Sequence, residues 1–118
     1  MRFAAWYGIL VGALMIVQWA FFLATRNVPE IKAEPVRIAF HLVGEFAAAV
    51  SLIAGGAALL QGASWARTLY LVAVGMVIYS EIVSPGYFAQ KKRWALVAMF
   101  VVLLGLAVAS VVLLAGSA

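Results

Sequence analysis

The stretch Pro35-Val36-Arg37-Ile38-Ala39-Phe40-His41-Leu42-Val43-Gly44-Glu45-Phe46-Ala47-Ala48-Ala49-Val50-Ser51-Leu52-Ile53-Ala54-Gly55-Gly56-Ala57-Ala58-Leu59-Leu60 decides how the chain is read. About 20 residues rising ~1.5 Å each span the hydrocarbon core of a bilayer, and this run is long enough. It also carries Arg37, His41 and Glu45, residue types that are costly in hydrocarbon and usually face a bundle interior. Helical geometry tests whether they share a face. At about 100° per residue, Glu34, Arg37, His41, Gly44, Glu45, Ala48, Ser51 and Gly55 fall within one arc of about 120°, the width of an inward stripe. Phe46, Val50 and Ile53 fall on the other side and are expected to meet lipid.

Outward from this run the same pattern repeats. Apolar runs cover residues 3–25, 35–60, 66–83 and 94–115. Hydrophobic residues make up 68% of the 118 and charged residues 10%, against about half and about a quarter in a soluble domain. Backbone groups in hydrocarbon must be satisfied within their own segment, so each run is read as a helix. The first run, at 23 residues, exceeds the roughly 7–15 of a signal-peptide core and is read as a span. The expected fold is an all-α membrane protein, one domain over 1–118, with four transmembrane helices in an up-down-up-down bundle.

The connections carry matching punctuation. Pro35 suits a first helical turn, where its missing N–H costs nothing. Gly62 is read as a C-cap and Ser64 as an N-cap. Ser84-Pro85-Gly86 is read as a type II turn opening the third loop. Arg26, Lys32, Arg37, Lys91, Lys92 and Arg93 fall on one side, against Arg2 and Arg67 on the other. The positive-inside rule then puts loops 26–34 and 84–93 in the cytoplasm and both termini opposite. Trp6, Tyr7, Trp65 and Tyr70 on one side, and Trp19, Tyr79, Tyr87, Phe88 and Trp94 on the other, fall near headgroup level. Lys91, Lys92, Arg93 and Trp94 read as a topology anchor that also attracts anionic headgroups.

The stripe on the second run has two parts. Gly44, Ala48, Ser51 and Gly55 form a small-residue seam, matched on the first run by Gly8 and Gly12, and helix packing explains them. Glu34, Arg37, His41 and Glu45 form a ladder of alternating acidic and basic groups. Glu45 is about 15 Å deeper than Glu34 along the helix. A carboxylate there cannot stay ionised and unpaired; it takes a proton or pairs with a cation. Gln18 falls at about the depth of His41. Glu81, expected near the end of its helix, wants a cation such as Arg37 or Lys92, a proton, or water.

Four readings compete for this ladder. The first is a polar clasp in a structural or accessory subunit, with His41 and Glu45 bonded across the bundle to Gln18 or Tyr79. The second is a proton- or cation-linked transporter or channel using Glu34, Arg37, His41 and Glu45, with Gln18 and Glu81 as further members. The third is a metal or haem site on His41 and Glu45, which offers few ligands because the chain has one histidine and no cysteine. The fourth, an enzyme, lacks any nucleophile–base–acid set, and no catalytic residue is assigned. No cofactor is required. The partners expected are the lipid bilayer and a second copy or another membrane subunit. The net charge of +4 sits in short clusters beside apolar runs, which suits a membrane surface and not nucleic acid.

Overall fold

Long apolar runs without internal polar stretches leave the backbone one way to satisfy itself, and helices result. The computed structural model describes residues 2–25 and 30–116. Helix α1 covers Arg2–Ala24, the single turn α2 Glu30–Ala33, α3 Pro35–Gln61, α4 Ala66–Gln90 and α5 Trp94–Gly116. The four long helices are each long and apolar enough to cross a membrane. No strand occurs among the described residues. Arg26, one of the loop cations counted above, lies outside them.

Local chemistry sets the ends. Pro35 opens α3, and Glu34 stands at its N-cap position without a side-chain cap bond. Gly62 closes α3 in the left-handed conformation at φ 72°. Its N–H reaches the Leu59 carbonyl, and the Ala63 N–H reaches that of Ala58, a Schellman closure. The α4 N-cap is Trp65, not Ser64, and no side chain caps it.

The turn expected at Ser84-Pro85-Gly86 is absent. Helix α4 runs through Pro85 to Gln90, so the third connection shrinks to Lys91-Lys92-Arg93. A proline inside a helix has no N–H for the carbonyl four residues back, here that of Glu81. The true end is a second Schellman closure, in which Lys92 N–H donates to Ala89 and Arg93 N–H to Phe88. Lys92 holds the left-handed position at φ 57°.

Sequence neighbours pack together. α3 lies against α1 and α4, α4 against α5, and α5 also touches α1. The glycines show how closely. A Cβ added at Gly12 would stand 2.7 Å from the Ala49 carbonyl, and one at Gly56 would stand 2.5 Å from that of Ala5. Gly55, one residue from Gly56, instead meets the Tyr70 backbone of α4 at 2.9 Å. The expected seam is therefore redrawn. Gly8 and Gly12 rest on Ala49, Leu52 and Ile53; Gly44 has open space around it. Ile53 packs on α1 instead of lying on the outer face, because α1 and α4 grip α3 from two sides.

The core lies at one end. Its residues come from Ala4 to Val11 of α1, Ala48 to Leu59 of α3, Ala66 to Val77 of α4 and Ala107 to Leu114 of α5. Tyr7 and Tyr70, read above as interfacial, are buried in it. Tyr70 donates to Ser110 Oγ at 2.9 Å, and Ser110 donates to the Ala107 carbonyl at 2.7 Å. Arg67 Nη2 donates to the Leu114 carbonyl at 2.7 Å. The opposite halves of the helices are less tightly joined and enclose the candidate site.

Candidate functional site

Beyond Val11 and Val77, where the core stops, the four long helices separate around a cavity of about 690 Å³. All six candidate residues, Gln18, Glu34, Arg37, His41, Glu45 and Glu81, line it. They do not form one continuous ladder. At the rim, Arg37 and Glu34 pair at 2.6 Å, both well exposed, and such exposed pairs contribute little to stability. Deeper, His41 Nε2 stands 3.5 Å from Glu45 Oε1. The Trp19 ring of α1 meets the His41 ring edge-on at 5.6 Å between centroids.

Glu45 is buried, at 8% exposure, and its close partner comes from α4. Ser80 Oγ donates to Glu45 Oε1 at 2.6 Å. Ser84 Oγ is 3.3 Å from Ser80 Oγ. A hydroxyl has one proton to give, so with Ser80 committed to Glu45, Ser84 is the donor to Ser80. The result is a hydroxyl chain along one face of α4 that ends on a carboxylate of α3. Tyr79, expected to hold this group, is 62% exposed, and among the described residues no hydrogen bond joins Gln18 to the His41–Glu45 pair. In the sequence, Ser80 stands out little because a neutral hydroxyl inside an apolar run carries no charge signal, and the expected helix end at Val83 leaves Ser84 in a loop. The i, i+4 spacing of Ser80 and Ser84 was the available signal.

Glu81 is the second buried acid, at 4% exposure. Because α4 continues to Gln90, Glu81 lies nine residues from the helix end, about 13 Å inside it. It is not a helix-end carboxylate. No lysine or arginine pairs with it among the described residues. Its partner is Tyr7, whose hydroxyl donates to Oε1 at 3.0 Å. The same hydroxyl is 3.0 Å from the Leu103 carbonyl of α5. Glu81 Oε2 is buried and has no hydrogen-bond partner among the described residues.

At the rim, Lys91 Nζ donates to the Tyr87 hydroxyl at 2.6 Å and lies 4.3 Å from the centre of that ring. Phe88 stacks on Phe100 at 5.7 Å. Lys91 and Arg93 line the cavity. A smaller lateral groove of about 380 Å³ runs between α3 and α4, and His41, Glu45, Ser80, Val83 and Ser84 line it as well as the cavity. These five residues thus lie between the two spaces. For a metal, His41 and Glu45 remain a pair: no cluster of three His, Cys, Asp or Glu occurs among the described residues.

The fold and the site define a small all-helical protein, compatible with a membrane, that is packed at one end and hollow with two buried acids at the other. Residues 1–117 match the family described as Domain of unknown function (DUF8058), and the chain belongs to that family. No curated protein and no solved structure matches it.

Proposed function

We propose that the chain is an integral membrane protein, an up-down-up-down bundle, that handles protons or other cations on the carboxylates of Glu45 and Glu81. One observation carries this reading: two buried acids from different helices line a single cavity open towards the basic rim. Intramembrane acids facing a cavity are the usual mark of proton and cation routes. Long helices with widely exposed Leu, Val and Phe support the bilayer frame, since lipid would cover that surface. By the positive-inside rule, Lys32, Arg37, Lys91, Lys92 and Arg93 favour a rim on the cytoplasmic side, with both termini opposite.

In this scheme His41 and the Ser84–Ser80 hydroxyls serve Glu45 as proton partners. The cavity is blind at the core, so transfer to the far side requires the packed end to part, and the Tyr7–Glu81 contact has to break. A second copy or a partner subunit can complete the path. The test is pH-dependent flux in proteoliposomes containing a pH-sensitive dye. Glu45→Gln removes the flux while the helical content survives. Equal flux in wild type, Glu45→Gln and Glu45→Leu sinks the transport reading.

A structural clasp is the second reading, favoured by the Ser80–Glu45 and Tyr7–Glu81 bonds that tie α3 to α4 and α1 to α4. It expects Glu45→Gln to be tolerated and Glu45→Leu to loosen the assembly with no change in flux.

A further inference from the structure

We infer that the cavity is a binding site for a lipophilic organic cation, with Glu81 as its counter-ion; this deepens the cation-handling reading above and rests on it. Four features of the cavity point to this ligand. The first is Glu81 Oε2, a carboxylate oxygen with no hydrogen-bond partner among the described residues, on a side chain 4% exposed. Glu81 lines the cavity, and a buried acceptor left unmatched is a place for a donor or a positive charge. The second is the wall. Trp19, Phe22, Phe88 and Phe100 line the space between the acids and the rim, and aromatic faces attract cations while offering apolar contact. The third is size: about 690 Å³ falls within the range of roughly 300–1,000 Å³ that holds drug-sized molecules.

The fourth is access. A hydrated metal ion arriving from water meets a rim carrying Lys91, Arg93 and the Arg37–Glu34 pair and then finds no cluster of three His, Cys, Asp or Glu among the described residues to replace its hydration shell. A cation dissolved in the bilayer has another approach. The lateral groove between α3 and α4 has the apolar walls Phe40, Met76 and Val83, and it reaches Glu45 through the shared partition of His41, Ser80 and Ser84. Gly44 borders that groove with open space where a side chain would stand. A hydrophobic amine or onium ion can therefore come up to Glu45 without passing the basic rim, and the cavity holding Glu81 lies just across that partition.

The experiment uses the full chain in nanodiscs, with tetraphenylphosphonium as the charged probe and triphenylphosphine oxide as a neutral one of similar shape. Binding is read by calorimetry and by Trp19 fluorescence against a Trp19→Phe control. The expected result is saturable binding of the cation at least tenfold tighter than the neutral compound, weakened at least tenfold by Glu81→Gln and unaffected by a matching concentration of potassium chloride. Equal affinity for the charged and neutral probes, or no saturable binding, overturns the proposal, and this comparison needs no variant to fold. Unchanged binding in a folded Glu81→Gln protein overturns the assignment of the counter-ion. Loss of this proposal with Glu45-dependent proton flux intact leaves the cation-handling reading standing. Loss of that flux dependence alone defeats the broader reading.

Discussion

Tyr7 and Glu81, 74 residues apart, meet in a buried hydrogen bond of 3.0 Å, and the same phenol oxygen is 3.0 Å from the Leu103 carbonyl. One phenolic proton cannot serve both acceptors fully. When Glu81 carries a proton it can donate to the phenol oxygen, releasing the Tyr7 proton to Leu103. When it does not, Tyr7 turns to the carboxylate. Either way this side chain of α1 connects α4 with α5.

Tyr7→Phe is expected to destabilise the protein by about 1–3 kcal/mol, because it leaves a buried acid without its donor. Thermal unfolding in detergent measures this. The double variant Tyr7→Phe, Glu81→Leu should recover part of the loss, since removing both partners costs less than removing one. Additive losses would show that the two residues are not coupled.

Gly12→Ala and Gly56→Ala are each expected to cost about 1–3 kcal/mol by forcing α1 and α3 apart. Gly44→Ala meets nothing within 4 Å and should be neutral or stabilising by up to about 1 kcal/mol through helix propensity. Unfolding midpoints ranked in the reverse order would refute the packing described for α1 and α3.

Lys92→Gly should stabilise the protein by about 1 kcal/mol, because the left-handed conformation burdens any side chain but glycine's absent one. The gain appears as a higher midpoint in thermal unfolding, with no change in flux. A lower midpoint would mean that the lysine side chain contributes more than its backbone strain costs.

Ser80→Ala strips Glu45 of its 2.6 Å donor and should reduce pH-dependent flux several-fold, which corresponds to about 1 kcal/mol. Tyr79→Phe, altering an exposed ring, should leave flux unchanged. Comparable effects of the two variants would remove the hydroxyl chain from the proton route.

The helices were legible because hydropathy alone separates four runs. The inward face of α3 was legible for a similar reason: a 3.6-residue period brings Arg37, His41 and Glu45 together. What the residues concealed was α4. Pro85-Gly86 has turn chemistry, yet a helix among apolar neighbours tolerates a proline when the surroundings leave no better course for the backbone. Ending the helix at Val83 put Glu81 near a surface and left Ser84 in a loop, hiding both the second buried acid and the hydroxyl chain. Tyr7 was misjudged because closeness to the chain start implies an interface. Its contact with α4 depends on tertiary approach, which no local period encodes.

Pro85 has one more mechanical effect. It deletes the rung of α4 that would tie the Glu81 carbonyl, which weakens the helix against bending where the second buried acid sits. The segment beyond carries Tyr87, Phe88 and Lys91 of the cavity lining, so a bend at that rung would shift the entrance. A ligand held at Glu81, as proposed above, would act on that same rung, so binding and the width of the entrance would share one joint.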